Sequence, residues 1–271
     1  MNDHYLSEDE LDEFAGLLKH QLPEAQPGLL YQRLQQMAEL GITHLHSHLN
    51  SLNEDFAEKM AVIEQLGLEL LQEKRVFVWQ EPRPPLAVPD RLVFRSLLEQ
   101  GVDPFLDTIA RAHIGTLDRV EQATVQRAAH GQIDLHAWVR HEFETVGDHF
   151  DYAPDWWQLA YTQDDKLVGY VQPVLFKGSY KGDLGEATLY YIGVVPEQRG
   201  HGYGYDLLAK AVAILQAVGV WQIYSDTDCQ NFPMIKAFER ADFVQSGNNY
   251  IWCSSLEHLI RCWANSEKEG A

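Results

Sequence analysis

Apolar positions between Trp156 and Val195 fall into three strand-like stretches, "WWQLAYT" from Trp156, "LVGYVQPVLF" from Leu167 and "EATLYYIGVV" from Glu186. "DYAPD" and "TQDDK" punctuate them as turns, since Asp, Asn, Pro and Gly clusters end strands rather than extend them. The period then changes. In "YDLLAKAVAILQAVG" the apolar residues return every three or four positions, which predicts one buried helix face with Gly219 as its stop. "VWQIYSD" from Val220 predicts a further strand, "NFPMIKAFERA" from Asn231 a helix, and "FVQSGNNYIWC" from Phe243 a last strand. Upstream, "RLVFRSL" reads as a short strand, and "PFLDTIARAHIG" and "LHAWVRHEFETVG" read as helices with "TLDRVEQATVQRAAH" between them. Strands interleaved with helices predict an α/β (α+β) fold.

Glu81 to Arg91, "EPRPPLAVPDR", carries four prolines in eleven residues and suits an extended crossing better than a helix or central strand. A boundary is therefore expected there, with residues 1–80 before it, 81–90 as linker and 91–271 as the main domain. Leu29–Phe56 set against Leu207–Met234 at a constant offset of 178 gives five identities in 28 positions, among them Gly41 with Gly219 and Asn53 with Asn231. "IEQLGLELLQEKRVFVW" then follows "FERADFVQSGNNYIW" in the same helix-to-strand order. The first 80 residues thus read as a shortened, degenerate tandem repeat of the second half.

With 271 residues, 45% of them hydrophobic, the chain can bury a proper core. The acidic start and the lack of a long apolar run predict a soluble protein in the cytoplasm. Cys229, Cys253 and Cys262 are odd in number and lack paired spacing, which predicts reduced thiols rather than a disulfide framework. A formal charge of −19 argues against nucleic acid or an anionic membrane as partner and favours a cationic small substrate.

The segment "VVPEQRGHGYGYDLL" places glycines at 200, 202 and 204 between a strand end and a helix start. A helix mouth presents unpaired amides, its dipole favours an anion, and bare glycines let a phosphate approach. A tight turn with no ligand is the alternative. The Walker pattern is absent, and the G-x-G-x-x-G spacing of dinucleotide folds does not fit.

"VVPEQRGHGYG" followed by "NFPMIKAFERADF" resembles the central motif and following helix of the GNAT superfamily of acyl-CoA-dependent N-acyltransferases, here Arg199, Gly202 and Gly204 with Asn231 and Phe243. The resemblance covers residues 156–253. It implies a mixed, splayed sheet in which the strand Glu186–Val195 parts from the strand Trp221–Asp226. It further implies acetyl-coenzyme A as cosubstrate, its pantetheine arm bonded near Val194 and Val195 and its pyrophosphate on the amides of residues 199–204. A small amine would attack the thioester directly.

Two positions depart from the family pattern. Phe238 stands where many members carry a tyrosine that protonates the leaving thiolate, and Asp242 stands where a glycine is usual. The acid therefore cannot be carried over. For the base, alternation puts Glu186, Thr188, Tyr190 and Ile192 on one strand face, and Glu186 is its only carboxylate. Glu186, acting through water, is the expected base, and Asp226 the second candidate. His44, His46 and His48 share one strand face, but no fourth ligand lies near in sequence and no metal is expected. A noncatalytic acyl-CoA-binding module and an interaction protein remain as alternatives; for the latter, the N-terminal copy would pair with its own second half or with a second chain as a homodimer.

Overall fold

The computed structural model describes residues 3–19 and 28–269. In chain order the first elements are β1 (Asp3–Tyr5), α1 (Glu8–Lys19), α2 (Gly28–Glu39), β2 (His44–Asn50), α3 (Phe56–Leu66) and β3 (Glu69–Gln80). Then come β4 (Leu92–Ser96), α4 (Leu97–Gln100), α5 (Val102–His113), α6 (Arg119–Ala129), α7 (Leu135–His149), β5 (Phe150–Asp151), β6 (Gln158–Thr162), β7 (Leu167–Lys181) and β8 (Leu184–Val194). A short 3-10 turn at Pro196–Gln198 leads to α8 (Tyr203–Val218), β9 (Val220–Asp228), α9 (Phe232–Arg240), β10 (Val244–Ser255) and α10 (Leu256–Glu269). The sequence pattern did not reveal α10, because β10 runs into it with no turn residue between. Its one local signal is Ser255, whose hydroxyl accepts the His258 amide at 3.2 Å as a helix cap does.

The chain forms two compact units, Met1–Lys74 with Gly247–Ala271, and Arg75–Ser246. This is a different division from residues 1–80 and 91–271, because the last segment groups with the first.

In the first unit, β1 lies parallel to β2, and β10 lies antiparallel to β2 with Asn249 across from Asn50 and Ser255 across from His44. Helices α1, α2, α3 and α10 contribute Phe14, Leu34, Ile63 and Leu259 to a buried cluster with Leu45 and Trp252 from the strands. Each fully buried side chain of this size stabilises by about 1.5 to 3 kcal/mol. The order α2-β2-α3-β3 is the same as α8-β9-α9-β10.

In the second unit the strand order is β9-β8-β7-β6-β4, with the end of β3 beside β9 and β5 beside β7. The β8–β9 pair is parallel and the β4–β6, β6–β7 and β7–β8 pairs are antiparallel, so the sheet is mixed. Helices α8 and α9 pack on one face through Leu208, Val212 and Ile235 against Val171 and Ala187. On the other face, α5 and α7 pack through Phe105, Ile109 and Val146 against Leu159 and Tyr170. Residues 81–90 form neither helix nor strand, yet they are fastened to this unit. Leu86 donates its amide to Gln216 Oε1 at 2.9 Å, and Arg83 donates to the Asp242 carbonyl at 2.7 Å.

Two irregularities in the pairing of this sheet lie on either side of β8. Strands β8 and β9 pair only at Gly185–Val220, Glu186–Gln222 and Ala187–Ile223, after which they part. Just beyond, the Ser225 hydroxyl still reaches β8, accepting from the Leu189 amide at 3.2 Å and lying 3.5 Å from the Thr188 hydroxyl. The second irregularity lies on the β7 side, where Gln172 faces Tyr191 but Pro173 faces Leu189, so Tyr190 is an extra residue in β8. A proline offers no N–H to the ladder, and a bulge opposite it is the usual accommodation.

Candidate active site

The parting of β8 and β9 opens a cavity of about 570 Å³. Ile192, Gly193 and Val194 from β8, the loop and first turn of α8, one side of α9 from Pro233 to Arg240, and residues between Ala112 and Glu121 line it. Its position follows from the sheet, since two strands that stop pairing leave unpaired backbone and space between them. The Val195 amide is bonded to the Val168 carbonyl of β7 at 2.9 Å, so strand alternation turns the backbone groups of Val194 and Ile192 the other way, into the gap. Val195 itself is fully buried, and only Val194 of the expected pair lines the cavity.

At one end stands the glycine loop. Gly200 and Gly202 have φ of +81° and +78°, a left-handed backbone that side chains resist. Gly204 differs, having an ordinary φ and, its chain neighbours and own helix backbone aside, no protein atom within 4 Å of where its Cβ would stand. Neither strain nor packing requires a glycine there, and what a side chain would occupy is the cavity. Among the described residues the amides of 200 to 204 have no acceptor, and the next, Tyr205, bonds back to Gly202. These donors sit at the mouth of a 16-residue helix, so an anion is favoured by both hydrogen bonding and the helix dipole.

Arg199 has another task. Its guanidinium donates to the carbonyls of Val194 at 3.1 Å, Gly115 at 2.7 Å and Ala112 at 2.8 Å. The side chain therefore ties the loop to the end of α5. Positive charge in the cavity comes instead from Lys236 and Arg240, one helical turn apart on α9, with Arg240 lying 3.8 Å over the Tyr205 ring. Both stand in "NFPMIKAFER" as basic residues at i and i+4, a spacing that places them on one helix face but does not say which cavity that face borders. Asn231 lines the cavity and caps α9, accepting from the Met234 amide at 3.4 Å and donating to Thr227 Oγ1 at 3.0 Å.

The expected catalytic face needs a correction. Because Tyr190 is a bulge, alternation restarts after it. Ala187 and Leu189 below the bulge share a core with Ile192 and Val194 above it, while Tyr190 and Tyr191 pack on the opposite face. Ile192 thus leaves the face that holds Glu186 and Thr188. Glu186 lies where β8 and β9 still pair, accepts from Gln222 at 2.8 Å and Ser179 at 2.6 Å, and is not among the cavity's lining residues. Asp226 on β9 is not a lining residue either. Among the described residues His44, His46 and His48 belong to no cluster suited to a metal ion, and His44 and His46 lie 3.6 and 3.9 Å from Asp3.

Opposite the bulge the cavity is bounded by groups the sequence did not single out. His113 closes α5 and is 3% exposed. Its Nδ1 is bonded to the Ile109 carbonyl at 2.8 Å, while Nε2 is buried without a hydrogen bond, 3.8 Å from Glu121. Glu121 accepts from Thr116 Oγ1 at 2.8 Å. Tyr170 and Tyr191 border the same region, and burial, reinforced by the Glu121 charge, pushes both phenols well above their usual pKa, so both stay protonated. Gly193 permits this crowding, since a Cβ there would stand 2.6 Å from the Tyr170 ring and 2.9 Å from Ala112.

Residues 119–243 match the model of the acetyltransferase (GNAT) family. Among solved structures, a tandem GNAT protein from the clavulanic acid biosynthesis pathway superposes with a TM-score of 0.57 at 17% identity, over 84% of this chain and 69% of that one. A GCN5-related N-acetyltransferase from Sphaerobacter thermophilus gives a TM-score of 0.54 at 14% identity and covers 83% of this chain, which spans 64% of that protein's length. At such identities the likeness is one of fold. No curated protein matches this sequence.

Proposed function

Because residues 119–243 match the model of the acetyltransferase (GNAT) family, we propose that the chain moves an acetyl or other short acyl group from acyl-coenzyme A to a small amine, which attacks the thioester directly. The observation that carries this reading is Gly204, bare beside open space at a helix mouth whose amides lack acceptors. The residues fit coenzyme A. Amides from Gly200 to Gly204 would hold its pyrophosphate, Lys236 and Arg240 would add charge, and the gap-facing backbone of Ile192 and Val194, with Asn231 nearby, would line its pantetheine arm. Bound there, acyl-coenzyme A supplies an activated carbonyl. The protein's part is to orient the amine, exclude water and accept its proton.

A net charge of −19 favours a cationic amine over an anionic acceptor. The first unit, with its repeated order of elements, is proposed to be a degenerate copy of the acetyltransferase half, and a homodimer through it is a further proposal.

Calorimetry with acetyl-coenzyme A, followed by thiol release in the presence of putrescine, spermidine, lysine, ethanolamine and glucosamine, tests the reading. Binding and turnover are expected. Phe238 favours a second reading, since no tyrosine stands at the family's acid position, and binding without turnover of any amine selects that acyl-CoA-binding module. Absence of binding overturns both.

A further inference from the structure

We infer that His113, with Glu121 beside it, is the proton acceptor for the amine, and that the acceptor enters as an ammonium ion whose charge Glu121 balances. The inference rests on the acyltransferase reading and deepens it.

Geometry assigns the tautomer of His113. A carbonyl can only accept, so the Nδ1 bonded to Ile109 O carries the hydrogen and the neutral ring keeps its lone pair on Nε2. That atom is buried, has no hydrogen bond and belongs to a residue lining the cavity. A buried acceptor left open in this way carries a desolvation penalty that an arriving donor removes. An ammonium group is such a donor.

The groups facing His113 decide where charge can rest. They are Glu121 from α6, Glu142 from α7, Tyr170 from β7, and Tyr190 and Tyr191 from β8, with Arg199 held on the neighbouring Ala112 carbonyl. Tyr170 and Tyr191 remain neutral, and Tyr190 donates to Glu142 at 3.2 Å. Glu121 lies in the first turn of α6, capped by Asp118, where the helix N-terminus favours a negative charge. When Nε2 takes a proton, the imidazolium has Nδ1–H on a carbonyl and Nε2–H directed at a carboxylate. Positive charge thus passes from substrate nitrogen to ring nitrogen without leaving the reach of Glu121.

The balance closes. The ammonium gives one proton to Nε2, its nitrogen bonds the acyl carbon, and the carbon–sulfur bond breaks. The second proton leaves the new amide nitrogen for the thiolate sulfur, and His113 returns its proton to solvent.

The test has a part independent of turnover. In protein carrying 15N-labelled histidine, His113 should appear as the Nδ1–H tautomer. In kinetics, His113→Asn should reduce kcat/KM for the best amine of the panel by about 100-fold or more and remove the acid limb of its pH profile. Its acetyl-coenzyme A affinity should stay within about twofold of wild type. Glu121→Gln, less burdensome to folding, should keep the limb while raising KM for the amine by about tenfold or more, because the ammonium loses its counter-charge. A Nε2–H tautomer, a limb that persists in His113→Asn, or loss of the limb in Glu186→Gln instead overturns the inference while leaving the acyltransferase reading intact. Binding of acetyl-coenzyme A with no amine turned over removes the inference too. Failure of wild-type protein to bind acetyl-coenzyme A would instead sink the reading beneath it.

Discussion

The ring of Phe238 stacks on that of Phe77, centroids 4.9 Å apart and planes 16° from parallel. Phe243 closes on the same ring at 5.0 Å, and Phe238 is 1% exposed. The position where many relatives place a tyrosine therefore points into core here. Phe238→Tyr should not add an acid to the cavity. Burying its hydroxyl among aromatic rings should cost about 1 to 3 kcal/mol, read as a fall in Tm of several degrees with kcat unchanged. A rise in kcat would show that the side chain does reach the leaving thiolate.

Gly202 and Gly204 separate a fold requirement from a ligand requirement. Gly202→Val meets a positive φ and should lower both Tm and coenzyme A affinity, the latter by roughly 5- to 100-fold for one displaced hydrogen bond. Gly204→Val meets no strain and no neighbour, so it should weaken coenzyme A while leaving Tm within about a degree. Unchanged calorimetric binding by both would remove the loop from the site.

Arg199 is held by three carbonyls, and a lysine has neither the planar fork nor the reach to serve all three. Arg199→Lys should lose roughly 1 to 3 kcal/mol of stability and weaken coenzyme A about tenfold, because the loop's amides lose their fixed aim. Were its charge the feature that mattered, lysine would preserve affinity, and calorimetry distinguishes the two.

A fragment of residues 90–271 would carry Trp252, Leu256 and Leu259 without Phe14, Leu34 and Ile63, with which they share a core. It should aggregate or melt well below the full chain. A soluble fragment with an undiminished Tm would show that the last segment needs no such cover.

Burial pushes the Cys253 thiol up to about 11, and the nearby Asp3 and Glu69 charges add to it. Folding favours the neutral thiol, so its contribution is whole below pH 9.0 and is lost as pH rises from there through about 11. With iodoacetamide at pH 8, exposed Cys262 should be alkylated well before Cys253, as peptide mass spectrometry would show. Equal rates would contradict the burial of Cys253.

Local chemistry is what the sequence settled by itself. The strands around β7 and β8, the helix α8 and the glycine loop follow from periodicity and from residues whose backbone preferences act within a few positions, and the order of motifs pointed to an acyltransferase. Even the proline that imposes the bulge stood in view in "LVGYVQPVLF". Its consequence did not, because a bulge is a relation between two strands: Pro173 reads as a lone breaker until Tyr190 is found across from it. The same holds for His113 and Glu121, eight residues apart in separate helices, and for Arg199, whose partners lie up to 87 residues away. Alternation along β8 selected Glu186, yet which carboxylate borders the cavity was fixed by where β8 and β9 cease to pair, and by helix ends whose meeting no single-strand pattern encodes.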